Sequence, residues 1–317
     1  MLRAVVSDHN FMSLELQRAI LEPKGIEFLE VLPGCTTEDE VISRCAGANV
    51  LLVQRAPITR RVLRTLPDLK GVVRYGIGVD VIDLNAAKDL GIGIANVPTY
   101  CLEEVSNHAM AMILSLGRRI PQEHHRIVRG GWRGDAEWPA AFSDMTVGLV
   151  GFGAIARRVA NKARAFGFSV VAADPFVDES RFNDNGAQKV DIEDLFGAAD
   201  IISLHCPLLP ETKHLINHGS IAKMKPGVVV VNTSRGALIC ENDLIAALTN
   251  GKVSGAGLDV FETEPLPSSS MLRELSNVIL TSHSASYSAR SLRMLQVKAA
   301  EAALDFLQDR RPEGLII

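Results

Sequence analysis

Short apolar runs alternate with helix-patterned stretches from one end of this chain to the other, and no other feature constrains its fold as much. In the first hundred residues the runs are AVVS (4–7), EFLEVL (27–32), NVLLVQ (49–54), GVVRYG (71–76) and GIGIAN (91–96). Helical patterns fall between them, such as TEDEVISRCAGA (37–48). A second series follows: TVGLVG (146–151), SVVAAD (169–174), DIISLHC (200–206), GVVVVNTS (227–234), GAGLDVF (255–261) and NVILTS (277–282). Strands alternating with helices predict an α/β fold with mainly parallel sheets. At 317 residues there is material for two domains, each with its own core.

The break between the series is NVPTYC (96–101). A helix is expected over 102–119, with Val105, Ala109, Met112, Ile113 and Leu116 recurring at helical spacing. Glu103 and Glu104 suit its first turn and Arg118 and Arg119 its last. The glycine-rich stretch RGGWRGDAEWPAAFSD (129–144) reads as a connection or arm, and ARSLRMLQVKAAEAALDFLQ (289–308) as a final amphipathic helix.

Composition removes several classes of function. A net charge of −4 and the absence of long basic runs give no electrostatic footprint for nucleic acid. No apolar stretch reaches the roughly 18 residues a membrane span needs, and the N-terminus has no signal-like core. Five cysteines without paired spacing fit a reduced, cytoplasmic setting. His205, Cys206, His214 and His218 crowd one segment, but a single cysteine and two prolines make a loop there, and no metal site is expected.

In a parallel sheet the carboxyl ends of the strands share one rim, where ligands bind. After the strand at 146–150 come Gly151 and Gly153, which allow a tight turn and close approach of a pyrophosphate to a helix N-terminus. Ala156 replaces the usual third glycine and needs only to be small. Asp174 lies 23 residues past Gly151, where an acid reaches ribose hydroxyls. The next strands end at Pro207, Arg235, Glu264 and His283. A cation for a carboxylate, a proton carrier and an acid to orient it are what reduction of a 2-oxo acid requires.

With those residues in place, the chain resembles the NAD-dependent D-isomer-specific 2-hydroxyacid dehydrogenases, the group that includes phosphoglycerate dehydrogenases and C-terminal binding proteins. RYGIGVD, GIANVP, GFGAIA, HCPLLPET, NTSRG, GLDVFETEP and SHSAS occur in the family's order over nearly the whole chain. The resemblance implies a flavodoxin-like substrate domain of residues 1–98 plus 284–317. Inserted in it would be a Rossmann NAD-binding domain of residues 99–283, whose first helix and arm build a homodimer.

It also implies site roles. Arg235 holds the substrate carboxylate, His283 is the acid/base paired with Glu264, and the backbone at Ile77 and Gly78 helps bind substrate. Asp259 meets the nicotinamide amide, while Ala154, Ile155, Cys206, Pro207, Thr212, Thr233 and Ser234 line the NAD cofactor.

The chain departs from the family's pattern in three places. Ser282 replaces the usual proline before the histidine, and Ser286 stands where C-terminal binding proteins carry tryptophan. Gln54 and Arg55 lie where phosphoglycerate dehydrogenases tend to carry an arginine, leaving a phosphate contact open. The expected activity is interconversion of a 2-oxo acid and a D-2-hydroxy acid. The alternative is an NAD(H)-sensing regulator, which would keep the same triad. A methyltransferase could use the glycine turn and Asp174 but not the Arg/Glu/His rim.

Overall fold

A computed structural model describes residues 1–132 and 139–317. Part of the expected arm, 133–138 with Trp138, lies outside the described residues. The chain divides into two compact units, Met1–Cys101 with Tyr287–Ile317, and Leu102–Ser286. The expected changeovers stood at 98/99 and 283/284.

The first unit holds β1 (Arg3–Val6), β2 (Glu27–Glu30), β3 (Val50–Val53), β4 (Gly71–Arg74) and β5 (Gly93–Ala95). They form one parallel sheet in the order β2-β1-β3-β4-β5, the flavodoxin-like order. All four residues of β3 are buried, as expected of a strand covered on both faces. The final helix, Ala289–Leu307, starts at a capping box in which Ser288 Oγ accepts from Ser291 N. Its apolar face carries Leu295, Ala299, Ala302 and Phe306 into this unit, with the Phe306 ring against Gly71 and Gly93.

The second unit holds β6 (Thr146–Val150), β7 (Ser169–Ala173), β8 (Gln188–Lys189), β9 (Ile201–Leu204), β10 (Val228–Asn232), β11 (Val253–Leu258) and β12 (Val278–Leu280). Its parallel order, β12-β11-β10-β9-β6-β7-β8, is the doubly wound dinucleotide-binding order with one strand added beyond β11. The strand order reverses between β6 and β9, so the crevice for a ligand opens there.

Two local expectations need correcting. The helix expected over 102–119 stops at Gly117, and a second helix, Ile120–Val128, follows a left-handed Arg119 at φ 54°. Pro121 explains the break: continued, the helix would lack the bond from residue 121 to the Gly117 carbonyl and would press the proline ring against it. Arg118 and Arg119 therefore lie beyond the last turn they were assigned to. The short β8, two exposed residues, carries no apolar signal and was not foreseen. Among the described residues, no helix is long and apolar enough to cross a membrane.

Candidate active site

The site is built on the carboxyl rim of the second sheet. After β6 the chain turns at Gly151, φ 86°, where a Cβ would come 2.8 Å from Cys206 N. Only glycine fits that turn. Gly153 caps the helix Ala154–Ala165, and nothing lies within 4 Å of where its Cβ would be, so the helix N-terminus is open to a ligand. Ala154 begins that helix, Ile155 packs partly on the core beneath it, and Ala156 is fully buried.

Asp174 follows β7. Its Oδ2 accepts from Phe152 N at 2.8 Å and its Oδ1 from Phe176 N at 2.9 Å, which fixes the acid beside the glycine turn. Each oxygen keeps a further lone pair. Cys206 is buried, and burial pushes its thiol up to about 11, so it lines the turn as a neutral group. The Pro207 carbonyl accepts from Thr212 Oγ1 at 2.7 Å, and Thr212 Oγ1 also accepts from Leu209 N at 2.8 Å, so Thr212 shapes the loop after β9. Thr233 Oγ1 is buried with no hydrogen-bond partner among the described residues. An open helix N-terminus, an acid beside the glycine turn and a buried hydroxyl in want of a partner all fit a dinucleotide.

Arg235 is set by its neighbours. Asn232, fully buried at the end of β10, donates from Nδ2 to the Arg235 carbonyl at 2.8 Å and accepts from Ser234 N at 3.0 Å. Ser234 Oγ donates to the Cys206 carbonyl at 2.7 Å, tying this turn to the loop after β9. Gly236 then passes so close to the next loop that a Cβ would fall 1.9 Å from the carbonyl carbon of Phe261. That loop carries Glu264, whose Oε1 accepts from Phe261 N at 3.2 Å.

Glu264 Oε2 and His283 Nδ1 stand 2.7 Å apart, both partly buried. With Nδ1 engaged by Glu264, Nε2 is the ring nitrogen outside this contact. His283 adopts φ 54°, uncommon for a residue with a Cβ, and its N–H donates to the Asp259 carbonyl at 2.7 Å. Ser282, at the position where the family usually has proline, is exposed. Asp259 is 1% exposed and receives the N–H groups of Ser284 and Ala285, each at 2.9 Å. Both its oxygens thus serve the loop that bears His283.

The other expected substrate residues belong to the first unit. Ile77 and Gly78 follow β4, and the Ile77 carbonyl accepts from Asn96 Nδ2 at 2.6 Å. Asp8, also nearly buried, accepts from the backbone N–H groups of Gln54 and Arg55 and so shapes the turn after β3. Asn232 and Asp8 were not singled out from the sequence. A polar residue closing an apolar run or standing within two places of its end is the signal that could have found them.

The histidine-rich segment resolves into separate contacts. His205 Nε2 meets Ser203 Oγ at 2.9 Å, and His214 Nε2 meets Glu262 at 2.6 Å. Among the described residues no three His, Cys, Asp or Glu side chains are grouped to hold a metal.

Comparisons with known proteins identify the family. Residues 110–285 match the family described as "D-isomer specific 2-hydroxyacid dehydrogenase, NAD binding domain". A hydroxypyruvate reductase of Thermotoga maritima is 38% identical over 87% of this chain and 90% of its own length. A D-3-phosphoglycerate dehydrogenase of Mycobacterium tuberculosis is 39% identical over 77% of this chain, which is only 46% of that longer protein. Among solved structures, D-lactate dehydrogenase of Aquifex aeolicus, complexed with NAD and lactic acid, superposes with TM-score 0.84 at 29% identity, covering 97% of this chain and 96% of that one. The chain belongs to the D-isomer-specific 2-hydroxyacid dehydrogenase family and is an NAD-dependent enzyme of that class.

Proposed function

We propose that this enzyme interconverts a small 2-oxo acid and the D-2-hydroxy acid, with Arg235, Glu264 and His283 as its catalytic residues. The observation that carries the reading is the 2.7 Å contact between His283 Nδ1 and Glu264 Oε2 on the rim that bears the glycine turn. Bound NADH supplies a hydride to the carbonyl carbon. In that direction His283 Nε2–H gives its proton to the carbonyl oxygen, and in reverse the neutral ring removes the hydroxyl proton. Arg235 holds the carboxylate in a bidentate contact that lysine does not reproduce. In this proposal Gly151, Gly153, Ala154, Ile155, Asp174, Cys206, Pro207, Thr212, Thr233, Ser234 and Asp259 bind the cofactor, and the backbone of Ile77 and Gly78 binds substrate.

Relatives named hydroxypyruvate reductase support a small, polar 2-oxo acid as substrate. The test is a panel of hydroxypyruvate, glyoxylate, pyruvate and bulky 2-oxo acids followed by NADH oxidation. Turnover at ordinary enzyme rates on a small acid supports the reading; tight NADH binding without turnover on any acid favours the regulatory alternative.

A homodimer in the cytoplasm completes the proposal. Ile120, Ile127, Val128 and Trp132 are all at least half exposed along one short stretch, an apolar surface suited to a second copy. Five cysteines without paired spacing support a reducing compartment. A monomer in light scattering at micromolar concentration contradicts the dimer.

A further inference from the structure

The helix Leu102–Gly117 lies along β11, and small residues set its register. His108, Met112 and Leu116 stand one turn apart on one helix face, while Gly255, Gly257 and Asp259 alternate along one side of β11 and its extension. A Cβ at Gly255 would meet Leu116 Cδ2 at 3.1 Å, and one at Gly257 would meet Met112 Sδ at 2.9 Å. These two close approaches bring the third pair together: His108 Nε2 lies 3.7 Å from Asp259 Oδ1.

Between them stands Thr281. Its Oγ1 is 2.6 Å from Asp259 Oδ1 and 3.0 Å from His108 Nε2. A carboxylate only accepts, so the single hydroxyl proton of Thr281 goes to Asp259. The Thr281 oxygen then accepts in turn, which requires the proton of His108 to sit on Nε2. The result is a directed chain, His108 to Thr281 to Asp259. The Asp259 carboxylate in turn holds the N–H groups of Ser284 and Ala285, while its backbone carbonyl accepts that of His283.

We propose that His108 is a positioning residue for His283. Its Nε2–H fixes the Thr281 hydroxyl, and the hydroxyl keeps the buried Asp259 carboxylate aimed at the N–H groups of Ser284 and Ala285, directly after His283. Without that donor the hydroxyl is free to turn away, and the left-handed His283 loses part of its clamp. This role rests on the reading of His283 as the acid/base.

Steady-state kinetics of substituted full-length enzyme on hydroxypyruvate and NADH test it. His108→Leu lowers kcat about tenfold while KM for the acid and Kd for NADH stay within about threefold, because the loss falls on a transition-state contact. His108→Gln, whose amide N–H donates at similar reach, returns kcat to within about threefold of the wild type. Thr281→Val repeats the loss, Thr281→Ser restores it, and His108→Leu with Thr281→Val together fall no further than the poorer single variant. The Thr281 pair carries the test should His108→Leu not fold. Wild-type kcat in His108→Leu, equal losses in the Leu and Gln variants, or multiplied losses in the double variant overturn the proposal. A His283→Ala variant with normal turnover sinks the acid–base reading and the positioning role with it. A crippled His283→Ala beside a normal His108→Leu sinks the positioning role alone.

Discussion

His283 Nδ1 and Glu264 Oε2 are 2.7 Å apart although they come from two different loops of the sheet rim. The contact engages Nδ1 and orients the imidazole, and the proposed proton transfer uses Nε2. Glu264→Gln keeps an acceptor but removes the charge that supports an imidazolium, so turnover in the reductive direction should fall on the order of 10–100-fold. Glu264→Ala, which removes the acceptor as well, should fall further. Comparing kcat of the two variants checks the order.

Gly236 gives a steric prediction. A methyl group at this position would collide with the Phe261 carbonyl carbon at 1.9 Å, and the obstacle is backbone that no rotamer change can clear. Gly236→Ala should therefore cost about 1–3 kcal/mol of stability by forcing the loops apart. Because those loops carry Arg235 and Glu264, it should also raise KM for the 2-oxo acid. Thermal melts and KM measured on one preparation check both effects.

Asp174 should set the preference for NADH over NADPH, since a carboxylate accepts from ribose hydroxyls and repels a 2′-phosphate. Asn is the cleaner substitution, because its carbonyl oxygen can still accept the Phe152 N–H that Asp174 receives. Asp174→Asn should shift the NADPH-to-NADH ratio of kcat/KM upward by about tenfold. Equal wild-type efficiency with both cofactors contradicts this role.

His205 makes stability depend on pH. Burial lowers its pKa from 6.5 to about 4, so the folded state holds it neutral. Between those values the unfolded chain binds the proton and the folded chain does not. Stability from this group is therefore full above pH 6.5 and is lost as pH falls toward 4. The loss is about 1–3 kcal/mol. In urea titrations at pH 7 and pH 4.5, His205→Gln should lose less stability on acidification than the wild type.

Much of this was legible in the sequence because it depends on local pattern. Buried parallel strands read as apolar runs, and whatever follows each run must fall on one rim; that logic gathered Gly151, Asp174, Arg235, Glu264 and His283 from 133 residues of chain. The remainder was hidden for physical reasons. The strand β8 is two exposed residues that pair by backbone alone. His108 and Asp259 meet only because Gly255 and Gly257 let a helix settle on β11, a packing event across 151 positions. Asp259 was expected to face the nicotinamide, and nothing local announced that its oxygens also secure the loop of His283.

Whether His283 carries the proton is read from turnover of His283→Ala on hydroxypyruvate with saturating NADH. Loss of a positioned acid/base should lower kcat by on the order of 10²–10⁴. NADH affinity, followed by fluorescence titration, should stay close to wild type because the glycine turn and Asp174 remain. Turnover near the wild-type rate in this variant would contradict the account.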